Sequence, residues 1–279
     1  MSDYSGLRGR AWFQALTNNA LTGRNDPASV LCADAPLGPD QARFLCVVPN
    51  PNARFPCARH GEVGLDEAYA LARSIQDAIT FDQHQQSKRP IIAIIDVKSQ
   101  AYGRREETAG IFLAGATAAE AYATARFAGH PVISLVVGHA FSGGFLTHGY
   151  QANRILAFDD PEVTIHAMHK EAAARITRRS VDDLITLSQS IPPLSYNVRG
   201  FAQLGILHEL LAVPDPDHPS PQTIELVQQH LIAAIHDARS KPRDLSSRIE
   251  SAPALNMRKA TIQTRALLRQ QWAADEAAR

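Results

Sequence analysis

Two short apolar runs separated by an alanine-rich stretch limit what this chain can fold into. Residues 91–96 (IIAIID) and 131–137 (PVISLVV) are rich in Ile and Val, which predicts strands buried on both faces. Residues 106–127 predict one long helix that packs closely on a sheet. A helical crossover makes two strands parallel and brings their carboxyl ends to one sheet edge, where α/β folds bind ligands. We therefore expect an α/β fold in which residues 96–103 and 138–144 are neighbours.

The second strand leads into a turn of small residues. Gly138 is expected to end the strand, and Ser142 is expected to be the N-cap of the next helix. Gly143 and Gly144 then expose first-turn N–H groups with no side chain in front of them, which suits the binding of an oxyanion. Close packing of a strand against a helix also selects glycine, so a purely structural turn is the alternative.

The rest of the chain adds elements on both sides of this centre. Residues 49–64 predict a loop because they contain several prolines and glycines, and residues 214–222 (PDPDHPSPQ) predict a linker. Further strands are predicted at 44–48, 154–158, 163–165 and 209–213. Further helices are predicted at 65–81, 221–239 and 258–274.

Composition argues against several classes of protein. Lys plus Arg and Asp plus Glu both number 28, so net charge gives no reason to expect a nucleic-acid partner. Cys32, Cys46 and Cys57 are too widely spaced for a disulfide framework or a zinc site, which favours a cytoplasmic location. No signal core and no run of about 18 apolar residues occurs, so we expect no membrane association. Residues 239–279 hold nine Lys or Arg against four Asp or Glu, typical of a solvated helical face or a docking site for an acidic partner.

The order of the motifs resembles the carboxyltransferase branch of the crotonase superfamily. Members of this branch have stretches such as DTPGAYPG and GEGGSGGA, and the matching stretches here are DVKSQAYG (96–103) and GHAFSGGF (138–145). Downstream, VRGFAQLGILHELL (198–211) is similar to the closing helix and strand of that branch. The resemblance covers roughly residues 90–213.

This resemblance implies a crotonase-like spiral of ββα units within the α/β class. The chain would then form a single domain over residues 1–279. Its core would occupy about residues 40–213, and a helical C-terminal extension would occupy about residues 220–279.

Departures from the common pattern narrow the resemblance to one family. Lys98 and Ser99 replace the Pro-Gly of the first motif, His139 replaces an acidic residue of the second, and residues 166–176 read HAMHKEAAARI. The chain most resembles the γ subunits of biotin-independent malonate decarboxylases. That family implies a homologous β subunit that shares the active site, an acyl carrier protein subunit with a phosphopantetheine-type group, and an acyl-carrier transferase subunit. It implies no cofactor in this chain, no biotin and no metal.

Decarboxylation of a malonyl thioester suggests roles for individual residues. Loss of CO2 leaves an enolate oxygen, which the N–H groups of Gly143 and Gly144 would stabilise, with the N–H of Ser142 as a further donor. The proton that C2 needs would come from His139, Tyr102 or water. Substrate contacts are expected from the loop residues Gln100, Ala101, Tyr102, Gly103 and Arg104.

Arg104 has two interpretations, as do several other residues. It is a candidate partner of the malonyl carboxylate or, with Arg105, Glu106 and Glu107, a cap of the long helix. AFSGG (140–144) approaches the Gly-x-Ser-x-Gly nucleophile elbow of serine hydrolases, but Ala140 replaces the first glycine, and helix capping is the favoured role of Ser142.

The histidines and a basic stretch leave further alternatives open. His139, His148, His166 and His169 suggest a metal site, yet His166-x-x-His169 follows a predicted strand and lacks a carboxylate at a standard spacing. A solvated helix face or an attraction for a carrier protein would explain the cations Lys170, Arg175, Arg178 and Arg179. A biotin-dependent carboxyltransferase subunit and a non-catalytic scaffold subunit also remain alternatives.

Overall fold

One mixed sheet forms the centre of the molecule. The computed structural model describes residues 7–23 and 26–277. The strands within these ranges are β1 (Val30–Leu37), β2 (Asp40–Val47), β3 (Ile91–Val97), β4 (Val132–Phe141), β5 (Arg154–Phe158), β6 (Thr164–His166) and β7 (Glu209–Leu211). Their order is β1-β2-β3-β4-β5-β7, and β6 pairs with the end of β4. The β1–β2 pair is antiparallel and the other strand pairs are parallel.

Helices connect the strands and continue beyond the sheet. In the first half of the chain they are α1 (Leu7–Thr17), α2 (Leu65–Phe81), α3 (Arg104–Thr108), α4 (Ile111–Ala128) and α5 (Ser142–Thr147). In the second half they are α6 (Lys170–Thr177), α7 (Val181–Ser188), α8 (Val198–Gln203), α9 (Pro221–Ser240), α10 (Ser247–Glu250), α11 (Ala252–Met257) and α12 (Lys259–Ala277). Short 3₁₀ turns lie at Pro56–Ala58 and Pro192–Leu194.

The two central strands are buried along most of their length. Every residue of β3 is buried, as expected for a strand with both faces covered. Helices α2 and α4 pack against each other over the sheet, and α1 and α9 form a second pair that also contacts it. Alanines at positions 114, 118, 121 and 125 form the buried side of α4 and permit this close packing.

The predicted strand–helix–strand unit is confirmed, with one correction. β3 and β4 are parallel and in register from Ile91 opposite Val132. The single long helix predicted at 106–127 is wrong, because Gly110 adopts φ +84° and separates α3 from α4. A left-handed residue cannot continue an α-helix, and glycine adopts that conformation at little cost.

Several elements were not predicted from the sequence. These are α1, β1, α7 and the short helices α10 and α11. The C-terminal helical extension is present as α9 to α12. Within the described ranges no helix combines the length and apolar character that a bilayer crossing requires. Cys32, Cys46 and Cys57 are free thiols.

Candidate active site

Asp96 joins the two loops at the carboxyl edge of the sheet. It is 2% exposed; its Oδ1 accepts the N–H of His139 and its Oδ2 accepts the N–H of Gly9, both at 3.1 Å. A β-carbon on Gly138 would lie 2.3 Å from Asp96 Oδ1, so this position requires glycine. Asp96 therefore has a structural role, and the predicted proximity of residues 96–103 and 138–144 is confirmed.

The turn after β4 differs from its predicted geometry. The strand continues past Gly138 to Phe141 because residues 139–141 pair with β6. Phe141 is the N-cap of α5, and Ser142, the first residue assigned to α5, has φ +56° and is left-handed rather than α-helical. The predictions that Gly138 ends the strand and that Ser142 is the N-cap are therefore wrong. The added strand pairs move the start of the helix by one residue.

The Ser142 hydroxyl instead pairs with Tyr102. Ser142 Oγ and Tyr102 Oη lie 2.5 Å apart, and Tyr102 is 57% exposed. A non-glycine residue in the left-handed region is strained, so this hydrogen bond helps to hold Ser142 in place. The contact joins the loop after β3 to the glycine turn and places a phenol hydroxyl next to Gly143.

The two glycines serve different steric needs. A β-carbon on Gly144 would lie 2.3 Å from the carbonyl oxygen of Ser99, so the backbone of the neighbouring loop excludes a side chain there. A β-carbon on Gly143 would lie 1.5 Å from Gln100 Oε1, which is the end of a flexible side chain. Gly143 and Gly144 also lie in the first turn of α5, where backbone N–H groups have no acceptor inside the helix. Gly143 therefore has no rigid backbone contact that demands glycine.

Two cavities meet at Gly143. One has a volume of about 260 Å³ and lies between α2, α4 and α5. The other has a volume of about 320 Å³ and lies between α5, β6 and α8. Gln100, Gly143 and Leu146 line both cavities. A substrate atom placed against Gly143 would therefore be accessible from both cavities.

The predicted substrate loop is held by its own backbone. The N–H of Val63 donates to the carbonyl of Ser99, and the N–H of Ala101 donates to the carbonyl of Val63, both at 2.9 Å. Ala101 is fully buried. Its N–H and methyl group thus position the loop, whereas Gln100 and Tyr102 project toward the glycine turn.

The end of the loop forms the start of α3. Gly103 is its N-cap, and Arg104 is exposed at its first position. Glu106 is buried over Gly103, and its Oε1 has no hydrogen-bond partner within the described ranges. Burial, together with Glu106, raises the pKa of the Cys57 thiol, which lies beside it. Sequence reasoning missed this contact, because Cys57 lies in a loop with no periodic pattern.

Two histidines near the site have a lowered pKa. Burial lowers the pKa of His139, with Lys98 adding to this effect and Asp96 opposing it, and His139 Nδ1 lies 2.8 Å from Thr164 Oγ1. Burial also lowers the pKa of His148 to about 4. His148 bonds to the Tyr122 hydroxyl at 2.9 Å and to the Ile94 carbonyl at 3.1 Å.

The remaining histidines do not form a helical chelate. His166 is the last residue of β6, and His169 is the N-cap of α6, so the pair does not lie on one helix turn. His166 stacks on Tyr196 at 3.9 Å between ring centroids. Residues 7–23 and 26–277 contain no group of three or more His, Cys, Asp or Glu side chains arranged to hold a metal.

The basic stretch after the site lies at the surface. Lys170 Nζ sits 5.2 Å from the ring centroid of Tyr196, while Arg175, Arg178 and Arg179 are exposed. Lys170 and Arg175 lie on α6, as the helix-face alternative predicted, whereas Arg178 is the C-cap of that helix and Arg179 follows it.

Comparison with known proteins assigns the chain to a family. The family model MdcE, described as malonate decarboxylase gamma subunit, matches residues 58–272. The chain belongs to the malonate decarboxylase γ-subunit family. The resemblance predicted from DVKSQAYG and GHAFSGGF is thereby confirmed.

Solved structures support the same assignment of this γ-family chain. A Pseudomonas malonate decarboxylase hetero-tetramer in complex with coenzyme A contains a chain that is 49% identical, with a TM-score of 0.90, covering 95% of this chain and 99% of that one. A Pseudomonas MdcD–MdcE hetero-dimer is 48% identical with a TM-score of 0.87 and the same coverage. The crotonase-like α/β fold class is confirmed.

A curated relative of the γ-family chain is named for a different activity. It is the malonyl-S-ACP:biotin-protein carboxyltransferase MADD of Malonomonas rubra, 36% identical over 167 residues. The match covers 59% of this chain and 57% of MADD, so the chain spans less than two thirds of that relative.

Proposed function

We propose that this γ-family chain, with a homologous β subunit, converts a malonyl thioester on an acyl carrier protein to the acetyl thioester and CO2. The observation that carries the proposal is the position of Gly143, which lies between two cavities and beside the Tyr102–Ser142 hydroxyl pair. Family membership supports this activity rather than another crotonase chemistry.

The reaction balances without an added oxidant or reductant. The bond between C2 and the carboxylate carbon breaks, and its electron pair moves to the thioester oxygen as an enolate while CO2 departs. The enolate then takes a proton at C2. N–H donors at Gly143 and Gly144, with that of Ser142, are proposed to stabilise the enolate oxygen, and one such donor is worth on the order of 3 kcal/mol in a transition state.

Tyr102 is our preferred source of the proton. Its hydroxyl contacts Ser142, next to the proposed enolate position, and the ring is exposed to an incoming substrate. His139 is a weaker candidate, because its Nδ1 is engaged by Thr164 and its pKa is lowered by burial. We propose that Gln100 and Gly103 border the acyl group and that the exposed Arg104 receives the malonyl carboxylate.

The assembly and location are proposed from relatives. A Pseudomonas relative forms an MdcD–MdcE hetero-dimer, and we propose an equivalent β subunit here that completes the active site. The proposal also includes a carrier protein whose phosphopantetheine-type group bears the substrate, and a transferase subunit. It places the protein in the cytoplasm. Within it, the chain forms one functional domain and binds no cofactor or metal of its own.

Gly143→Val tests the proposal. The chain is co-expressed with its β subunit, and CO2 release from a malonyl thioester is measured with and without avidin. Valine would shield the Gly143 N–H, and we expect kcat to fall by about 100-fold or more while the heterodimer still forms. Full activity in Gly143→Val would reject the oxyanion role.

Gln100→Ala is the matched control. It removes the flexible group that valine would displace, so a loss caused by displacement of Gln100 would appear in this variant as well. We expect Gln100→Ala to lower kcat by less than Gly143→Val does, because Gln100 is proposed to border the acyl group but not to donate a hydrogen bond to the enolate oxygen. The double variant should be as impaired as Gly143→Val alone.

The second candidate function is carboxyl transfer to a biotin protein. The activity for which MADD is named favours this second candidate. Avidin-sensitive turnover would establish it, whereas avidin-resistant CO2 release supports decarboxylation. A scaffold role predicts that Gly143→Val has no effect, and a serine hydrolase predicts covalent labelling of Ser142.

A further inference from the structure

A basic cavity lies at the opposite edge of the sheet from the glycine turn. It borders Pro131, which precedes β4, whereas Ser142 follows β4. Its volume is about 380 Å³, within the usual range for a small-molecule site. Four cations line it, namely Lys88, Arg126, Arg239 and Arg243, together with His130. No carboxylate is among the described lining residues.

Arg126 is a buried cation without an ion-pair partner in the described ranges. It is 4% exposed, and its guanidinium donates to the carbonyls of Gln151, at 3.1 Å, and of Arg243. The carboxylate of Asp244 raises the pKa of Arg126 only through a longer-range electrostatic interaction. Removing a charge from water without a counterion is costly. An anionic ligand in the cavity would supply a counterion for Arg126.

Two further cations keep spare donors. Arg243 Nη1 donates to the Phe127 carbonyl at 2.9 Å, which leaves Nη2 with no partner in the described ranges. Lys88 Nζ donates to the carbonyls of Asp82 and Gln83, leaving one N–H. These carbonyls belong to helix ends, so they fix the cations in position without cancelling their formal charge. Arg239 contributes less, because Asp40 pairs with it at 2.7 Å.

His130 adds an independent observation. The ring is 2% exposed, and its Nδ1 lies 2.9 Å from the carbonyl of Arg89. A carbonyl only accepts, so Nδ1 bears the proton and Nε2 of the neutral ring is an acceptor. Nε2 is buried and has no partner in the described ranges. A ligand with both an acidic hydroxyl and anionic oxygens would suit this lining, and a phosphate group has both.

We infer that this cavity binds a phosphate group, either as free phosphate or as the phosphate of a small monoester. The cations receive the anionic oxygens, and His130 Nε2, a buried acceptor of a lining residue, is the candidate partner of a phosphate hydroxyl. The site lies outside the proposed catalytic centre, and its existence does not depend on the decarboxylase proposal.

A matched pair of variants at Ala128 tests the inference. Ala128 is exposed at the last position of α4 and lines the cavity. Ala128→Glu adds a carboxylate to the cavity, while Ala128→Gln adds the same bulk without charge. Neither change removes a cation or any of its hydrogen bonds.

Binding of inorganic phosphate and of AMP to the full-length chain is measured by titration calorimetry. We expect Ala128→Gln to bind within about threefold of the unmodified chain and Ala128→Glu to bind at least about tenfold more weakly. Arg243→Gln should also weaken binding by about tenfold. Tighter binding of AMP than of phosphate would assign the site to a monoester, and equal or weaker binding would assign it to free phosphate.

Two results would overturn the inference. One is the absence of saturable binding for both probes. The other is equal affinity in the Glu and Gln variants, since a phosphate in this cavity must sense the added carboxylate. Thermal unfolding without ligand checks that each variant is folded.

Discussion

The two edges of the central sheet offer a negative charge different partners, neutral hydrogen-bond donors at one edge and cations at the other. At the carboxyl edge, Gly143 and a hydroxyl pair lie among histidines whose pKa is lowered, so no formal positive charge is built into the turn itself. At the amino edge, cations such as Arg126 are fixed by backbone carbonyls around a cavity. Neutral dipoles suit the stabilisation of a charge that exists only during a reaction, whereas cations suit the binding of a permanently anionic ligand.

Acidification should destabilise the chain through the buried ring of His148. His148 has a pKa of about 4 in the folded chain, below its ordinary value of about 6.5, because burial disfavours the charged ring. Its contribution to stability is complete above pH 6.5 and is lost as the pH falls toward 4. The loss amounts to about 3 kcal/mol.

Urea unfolding between pH 7.5 and pH 4 measures this effect. His148→Gln should flatten the pH dependence, and the control is His60→Gln, which replaces a side chain that is 73% exposed. Equal slopes in the unmodified chain and in His148→Gln would contradict the assignment.

Tyr102→Phe should give the next largest effect, through activity. Loss of the proposed proton donor is expected to lower kcat by about 100-fold, or about 2.7 kcal/mol, with little change in KM. CO2 release by the co-expressed complex is the measurement. Tyr69→Phe is the control, since Tyr69 is 48% exposed on α2. An unchanged kcat would exclude Tyr102 and leave His139 or water.

The two glycines should separate packing from chemistry. Gly144→Ala forces a methyl group toward the Ser99 carbonyl and should destabilise the chain by about 2 kcal/mol. Gly143→Ala displaces only the end of Gln100 and should cost less than about 1 kcal/mol. Urea midpoints of the two variants measure the difference. Equal losses would mean that both glycines are needed for packing.

The smallest effect is expected at the amino edge. Arg239 pairs with Asp40 at 2.7 Å while 30% exposed, so Arg239→Gln should cost about 1 kcal/mol at low salt and less at high salt. Arg54→Gln should cost less still, because Arg54 is 71% exposed in its pair with Asp66. Unfolding curves at two ionic strengths test this, and a loss that grows with salt would contradict it.

Periodicity and composition predicted the larger elements well. The buried runs that became β3 and β4 were predicted because strands covered on both faces need continuous apolar sequence. The turn was predicted only in part. Nothing in the local sequence signals that residues 139–141 pair with β6, and that pairing moved the start of α5 and freed Ser142 to bond with Tyr102.

The amino-edge cavity was signalled in the sequence only by the excess of Lys and Arg over residues 239–279, which includes Arg239 and Arg243. Its cations come from separate segments around residues 88, 126 and 239–243, and each alone is an ordinary surface-type residue. Only the meeting of helix ends at one place brings them together.

The sequence alone determined the α/β class, the family and the order of motifs, because these depend on local hydrophobic pattern and on residue identity. The tertiary structure alone decided which glycine is confined by a neighbouring backbone, which hydroxyls meet and where the cations converge. Those outcomes depend on distances between segments far apart in the chain, and no local pattern encodes such distances.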